Sequence, residues 1–378
     1  MKKYIYFDNA ATTVGKPECV TRAVASALGH CANPGRSGHD LSVSAATEIY
    51  NCRNLICRLF GYDKPERVVF TPNATLALNM AIKGFALDGT HILISNYEHN
   101  SVIRPVHALA SDKARNITYS IFDASGTENE IIYDFVSKIR PNTRMAVVTL
   151  ASNVCGKILP ISKIASVCRK RGIIFICDAS QGAGCVPINV TSLGIDVLCF
   201  AGHKSLYGPQ GTGGVIFCCN NEPKSIIQGG NGINSADKNM SGPLPESLEA
   251  GTLNTPGICG LAAGINYISK IGINEIFERN TYLINRLTEN LSVIPGVTIY
   301  GLSDTRTPTL IFNKKDIKAE DAAIFLNERS ICVRSGFHCA PLAHAALGTG
   351  PYGAVRASLS FSNTAAQTDT FALAISKM

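Results

Sequence analysis

The stretch "DVLCFAGHKSLYGPQGTGGVIFCC", residues 196–219, joins two apolar runs through a histidine, a lysine and a glycine-rich loop. The runs are apolar at consecutive positions rather than alternate ones, so each strand is expected to be covered on both faces, as in a parallel sheet. The same pattern recurs upstream in "RVVFT" (67–71), "HILIS" (91–95), "MAVVTLAS" (145–152) and "IIFICD" (173–178). Helical patterns lie between the strands, at "ATLALNMAIKGFA" (74–86) and "ISKIASVCRKRG" (161–172), the latter with Gly172 as its stop. Strands alternating with helices predict an α/β, doubly wound, mainly parallel sheet. A segment rich in Gly, Pro, Ser and Asn (229–257) reads as a long loop ending that sheet. Beyond it come helical patterns and four short strands, "GVTIYG", "PTLIFN", "ICVRSG" and "VRASLSF". We therefore expect a large domain over 1–255 and a smaller α+β domain over 256–378, with the N-terminal segment packing on the smaller one.

Composition narrows the function. Of 378 residues, 46% are hydrophobic and 17% charged, enough for a large core and against wholesale disorder. The net charge of +7 is spread along the chain, and its densest cluster is "RKR" at 169–171. That argues against a nucleic-acid surface and for anionic small molecules. No apolar run approaches the about 18 residues of a membrane span, and the start is too short on apolar residues for a signal peptide. The 14 cysteines show no C-x-x-C pair and no regular spacing. Neither a zinc site nor a disulfide framework is indicated, no metal is expected, and a reducing, cytoplasmic setting follows. The N-x-S/T matches are then chance.

In open α/β sheets ligands bind beyond the carboxyl ends of the strands. There the sequence places Thr71, Asn73, Ala74 and Thr75 at a helix start, then His99, Asn153, Asp178, Gln181, His203 and Lys204. Backbone N–H groups at a helix start make an anion seat, although an ordinary capped helix has the same signature. A loop histidine alone is more often inert. An aspartate ending an apolar strand is costly unless it meets a cation. A lysine facing that aspartate, beside an anion seat, suits pyridoxal phosphate. The aldehyde takes the lysine as a Schiff base and the aspartate keeps the ring nitrogen protonated. The alternative, a phosphate-binding lysine, lacks G-x-x-x-x-G-K-[ST].

At these residues the chain resembles the class V aminotransferase-like pyridoxal enzymes of fold type I, specifically cysteine desulfurases and selenocysteine lyases. The segments that carry the resemblance run in order along the chain. They are "YFDNAATT" (6–13), "NPGRSGH" (33–39), "TPNATLALN", "EHNS", "ASNVCG", "DASQGAG" (178–184), "GHKSLYGPQGTGG", "EAGTLNTPG" (249–257), "RSGFHCAPLAH" (334–344) and "VRASLSFSNT" (355–364). The resemblance implies that Lys204 carries the cofactor, Asp178 pairs with its ring nitrogen, Gln181 donates to its ring hydroxyl and His99 stacks on the ring. It implies a phosphate held by Ala74, Thr75 and His203, with Thr252 contributed by the second subunit of a homodimer. Asn153 and Arg356 would fix the substrate carboxylate, Arg334 would join them in binding substrate, and Cys339 would accept sulfur.

Cys339 stands apart from the other cysteines because it follows His338 in a polar turn, with Arg334 close by in sequence to supply positive charge. Cys155, next to Asn153, reads as a space filler. Three positions depart from the family pattern: Ala201 where a serine or threonine is common, Asn231 where a threonine is common, and Ser205 where a small or apolar residue is usual. The compact cysteine loop resembles group II desulfurases. The short N-terminus and "EAGTLNTPGICGL" resemble a less characterised desulfurase-like branch. The expected reaction converts L-cysteine to L-alanine with a persulfide on Cys339, passed on to an acceptor protein. Selenocysteine lyase is the alternative on the same scaffold, and an aminotransferase or epimerase would not need Cys339.

Overall fold

A computed structural model describes residues 4–34, 37–233 and 235–378. Gly35 and Arg36 of the "NPGRSGH" motif, and Asn234, lie outside the described residues. Thirteen strands are present among them. β1 (Ile5–Tyr6) pairs in parallel with β11 (Ile331–Cys332). β2 (Val68–Thr71), β3 (His91–Ser95), β4 (Thr118–Phe122), β5 (Thr143–Thr149), β6 (Ile174–Asp178), β7 (Val197–Ala201) and β8 (Gly213–Phe217) form a seven-stranded sheet in the order 2-8-7-6-5-3-4. All neighbours are parallel except β8, which runs antiparallel to both β7 and β2.

The expected burial on both faces is found residue by residue. Along β5, Ala146 and Val148 join one hydrophobic core while Met145 and Val147 join the other. In β7 the alternation is Leu198 and Phe200 against Val197 and Cys199. Helices Asp40–Phe60 and Ile161–Lys170 cover the first face, and helices Ala74–Phe85 and Asn100–Ser111 the second. Each large aliphatic side chain so buried contributes about 1.5–3 kcal/mol. β4 was not anticipated from sequence. It is the sheet edge, with Thr118 exposed and Tyr119, Ser120 and Ile121 half-buried, so it lacks an apolar signature on both faces.

No strand or helix interrupts residues 218–254 among those described, in keeping with the long loop expected there. Helix Thr255–Ile271 then packs on helices Glu18–His30 and Asp40–Phe60, and its buried face joins the large-sheet core. A second, antiparallel sheet has the order β12-β13-β10-β9, from β9 (Val297–Tyr300), β10 (Thr309–Lys314), β12 (Arg334–Gly336) and β13 (Ala354–Ser358). Its core draws on helices Ile273–Ser292, Ala319–Glu328 and Ala365–Ser376, and includes Phe7 from the N-terminal segment. Among the described residues no helix is long and apolar enough to cross a membrane.

Strand register sets the site. Thr149 at the carboxyl end of β5 lies opposite Asp178 at the end of β6, and Asp178 lies opposite Cys199 of β7. The glycines after Lys204 serve packing more than a ligand. Gly213 pairs with Thr71 and lies so close to the helix that follows β2 that a Cβ would stand 2.8 Å from the Asn73 carbonyl carbon. Only glycine lets β8 press that helix start against the end of β7.

Candidate active site

One cleft at these strand ends is lined by ten of the residues singled out in the sequence: Ala74, Thr75, His99, Asn153, Asp178, Gln181, His203, Lys204, Arg334 and Arg356. Ala201 lines it too. Two residues fall outside. Cys339 lies at the side of the cleft, exposed, with its Sγ 3.9 Å from Arg334 Nη2. Thr252 is exposed and lines a separate cleft with Tyr50 and Asn231. Asn231 bonds within its own loop, accepting from Ile233 N–H at 3.2 Å. Ser205 is half-buried in the turn after Lys204.

The floor of the cleft is an acid–base pair. Asp178 is buried, and its Oδ1 accepts from Ser180 N–H at 2.9 Å and from the Ser180 hydroxyl. Its Oδ2 makes no hydrogen bond to the described residues. Lys204 Nζ likewise has no hydrogen-bond partner among them. Burial lowers the Lys204 amine to about 8; the Arg356 and Arg334 charges add to the fall and Asp178 opposes it. His99 caps helix Asn100–Ser111, its Nδ1 accepting from Ser101 N–H at 3.1 Å. Burial lowers it to about 4, so it is neutral at pH 7 and its proton sits on Nε2.

An anion seat lies at the start of helix Ala74–Phe85. Asn73 caps Leu76 N–H at 2.9 Å, and the N–H groups of Ala74 and Thr75 have no partner within the described chain. His203 sits opposite. Its Nδ1 pairs with Thr12 Oγ1 at 3.1 Å, which leaves Nε2 for an anion. Burial, with the Lys204 and Lys16 charges, lowers His203 to about 4, so it is neutral at pH 7. Gln181 Nε2 donates one hydrogen to Ala10 O at 3.1 Å and keeps the other.

A carboxylate seat faces this floor. Arg356 is 1% exposed. Its Nη2 pairs with Asp8 Oδ1 at 2.7 Å and its Nη1 donates to Asn153 O at 3.0 Å, while Nε is buried without a partner. A guanidinium held on two sides, with Nε–H unspent, offers its side edge to a carboxylate. The Asn153 carboxamide donates to His338 O at 2.7 Å, so this residue also anchors the cysteine loop.

That loop is strained. His338 and Cys339 both have left-handed backbone, φ +50° and +56°, at a cost of order 1–3 kcal/mol each for such residues. The bonds Asn153 Nδ2–H to His338 O and Asn100 N–H to Cys339 O (2.8 Å) hold it. Most of the other cysteines are core filler, as their apolar surroundings suggest. Burial raises the Cys168 and Cys185 thiols to about 12, and Cys155 lies fully buried with its thiol also pushed up.

Three polar groups around the site escaped the sequence reading. Asp8, inside "YFDNAATT", is the counter-ion of Arg356. His344, inside "RSGFHCAPLAH", lies under the cysteine loop and bonds His338 at 3.0 Å. Glu98, next to His99, turns inward beneath the sheet ends. Its Oε1 accepts from Thr149 N–H at 2.9 Å and from the Ser95 hydroxyl, and its Oε2 is buried without a partner. Burial, then the charge of Asp178, raises it to about 8 against the pull of those bonds. All three lay within motifs already in view, but only tertiary contact gives them a role.

The donor set fits pyridoxal phosphate: an amine without a hydrogen-bond partner, a buried carboxylate with one unspent oxygen, and an anion seat with two unspent N–H groups. Comparison with known proteins agrees. The family described as aminotransferase class-V matches residues 5–371. A probable cysteine desulfurase of Xylella fastidiosa (strain Temecula1) is 34% identical, over 100% of this chain and 91% of the relative. One of Methanothermobacter thermautotrophicus is 31% identical over 96% and 92%. The structure of a cysteine desulfurase from Thermococcus onnurineus NA1 superposes with a TM-score of 0.91 at 31% identity, covering 99% and 94% of the two chains.

Proposed function

The chain belongs to the cysteine desulfurases of the class-V aminotransferase family, a pyridoxal-phosphate-dependent group, and from that premise we propose how its residues convert L-cysteine to L-alanine and a protein persulfide. The observation that carries the reading is the cleft that joins Lys204, Asp178 and Arg356, with Cys339 beside Arg334 at its side. Pyridoxal phosphate, held by Lys204, Asp178, Gln181 and the seat of Ala74, Thr75 and His203, supplies an electron sink for the substrate α-carbon.

Arg356 Nε–H receives the substrate carboxylate, and Asp8 and Asn153 fix the guanidinium in place. The Lys204 amine, lowered to about 8 by burial, is the base nearest neutrality on the cleft floor and removes the α-proton. His99, neutral and held by Ser101, lies as a flat apolar cover with one N–H. The Cys339 thiolate then attacks the substrate sulfur. An S–S bond forms, the Cβ–S bond breaks with its electron pair left on Cβ, a proton there completes the methyl group, and Lys204 returns the α-proton to complete alanine. The net change is cysteine plus Cys339 thiol to alanine plus Cys339 persulfide, which an acceptor protein or a reductant discharges.

The working unit we propose is a homodimer. Thr252 lies outside its own chain's cleft, and the family resemblance supports its reaching a phosphate from a second copy. The exposed Val43 and Tyr50, on one side of helix Asp40–Phe60, offer that copy an apolar contact, and Tyr50 shares the Thr252 cleft. The packing of helix Thr255–Ile271 supports a large cofactor-binding unit that ends nearer Gly272 than residue 256. Fourteen free cysteines support a reducing compartment, the cytoplasm.

The test is alanine release from L-cysteine by the purified protein, with and without a reductant, alongside Lys204→Ala and Cys339→Ser. Lys204→Ala should lose the borohydride-stable cofactor link. Cys339→Ser should retain the cofactor and bind cysteine, yet form almost no alanine. Alanine at the wild-type rate from Cys339→Ser would refute the role of this thiol and favour elimination or transamination. Running L-selenocysteine in parallel separates desulfurase from lyase preference.

A further inference from the structure

We propose that His344, with Thr349 behind it, is a positioning residue for Cys339. Through one fixed chain of hydrogen bonds it holds the His338 ring, whose tautomer the Arg334 carbonyl fixes, and so holds the left-handed turn that carries the thiol. This rests on the reading of Cys339 as sulfur acceptor.

The chain runs from Arg334 O to His338 Nε2 (3.2 Å), from His338 Nδ1 to His344 Nε2 (3.0 Å), and from His344 Nδ1 to Thr349 Oγ1 (2.8 Å). Its polarity is forced. The Arg334 carbonyl only accepts, so His338 carries its proton on Nε2 and accepts at Nδ1. His344 must then donate from Nε2 and accept at Nδ1, and among the described residues the donor for that nitrogen is the Thr349 hydroxyl, which also lies 3.5 Å from His344 O. The two ring planes lie 18° from parallel, with centroids 5.2 Å apart. All three residues are buried, at 3%, 2% and 5% exposure.

His338 must stay neutral, because a second proton, on Nδ1, would set its N–H against that of His344. The surroundings secure this. Burial and the Arg356 charge lower His338 to about 2 and His344 to about 4, and Arg334 also weighs on His338. The relay thus ties the turn at both ends. It starts at Arg334, whose side chain touches Cys339 Sγ, and ends at Thr349, just beyond the helix Pro341–Leu347 that follows the thiol. Backbone at φ +50° and +56° in two successive non-glycine residues does not persist unless its surroundings over-determine it. The relay supplies side-chain bonds where Asn153 and Asn100 supply bonds to the backbone carbonyls.

The experiment uses the holoenzyme and the variants Thr349→Val, His344→Leu and His344→Gln. Valine removes the hydroxyl and keeps the shape. Glutamine retains a donor for His338 and an acceptor for Thr349. Two quantities are read: kcat and KM for cysteine, and hydrogen exchange of the resting protein at the Asn100 amide, which is bonded to Cys339 O. Thr349→Val and His344→Leu should lower kcat about tenfold with KM unchanged, and speed Asn100 exchange about tenfold, the factor expected from one buried hydrogen bond. His344→Gln should restore both. Wild-type kcat and exchange in Thr349→Val would overturn the proposal. So would faster exchange with kcat unchanged, which marks a structural role only, or a glutamine variant as impaired as the leucine one. If His344→Leu does not fold, Thr349→Val decides. If the wild type makes no alanine, the desulfurase reading fails, and the exchange measurements still judge the relay.

Discussion

Glu98→Gln should raise stability by an amount that grows with pH. Glu98 is fully buried, with an ordinary carboxyl value of 4.5 raised to about 8 in the folded protein. Between those values the folded state keeps a proton that the unfolded chain releases. The stability from this group is therefore fully present below about pH 4.5 and is lost as pH rises through about 8. At about 1.4 kcal/mol per pH unit per proton, the loss between pH 5 and pH 8 is about 3–4 kcal/mol. Glutamine copies the protonated form. Its carbonyl accepts from Ser95 and Thr149, its amide stands where Oε2 stands, and it does not titrate. His91, His99, His203 and His344, each lowered to about 4 by burial, push stability the opposite way as pH falls below their ordinary 6.5. Subtracting wild type from variant cancels them. Urea midpoints and slopes at pH 5, 6.5 and 8 give the difference directly. A difference that stays constant to within about 0.5 kcal/mol across that range would refute a neutral Glu98.

The buried pair Arg53–Glu249, at 2.7 Å with both side chains 7% exposed, anchors the long loop to helix Asp40–Phe60. Glu249→Ala strands the Arg53 charge and the Phe70 N–H that Glu249 also accepts, and should cost about 3–5 kcal/mol in urea unfolding. Arg53→Met with Glu249→Met should recover most of that loss, and a cost below about 1 kcal/mol for Glu249→Ala would count against the pair. Thr252→Ala should weaken pyridoxal phosphate binding by about 1–2 kcal/mol in equilibrium dialysis, for one lost charge-assisted hydrogen bond. Unchanged affinity in a dimer would remove Thr252 from the phosphate site.

What could be read from sequence depended on how local each signal was. β5, β6 and β7 announce themselves because a covered parallel strand is apolar at consecutive residues. β4, an edge with Thr118 in solvent, does not. Lys204 and Asp178 were legible because strand ends are where ligands bind and charged residues there need a reason. Cys339 was told from its fellows by its polar turn, and its exposure beside Arg334 fits that distinction. Asp8 was in a quoted motif but meets Arg356 only after the chain returns 348 residues later. Glu98 reads as a solvated loop carboxylate until folding turns it beneath β3 and β5. His344 sits among alanines and a leucine, and nothing in its spacing points to His338.

The distance between Asp8 and Arg356 also has a meaning in time. On a ribosome adding roughly 5–20 residues per second, Asp8 emerges about 20–70 s before its partner. Phe7, destined for the C-terminal core, waits as long, as does Asn9, whose amide bonds Ser358 O at 3.0 Å. The large sheet can close meanwhile, with Lys204 and Asp178 already side by side. The Asp8–Arg356 pair proposed to seat the substrate carboxylate cannot, since its two halves come from opposite ends of synthesis. On the proposed roles, a nascent or C-terminally clipped chain would have the means to hold a cofactor but not to grip an amino acid.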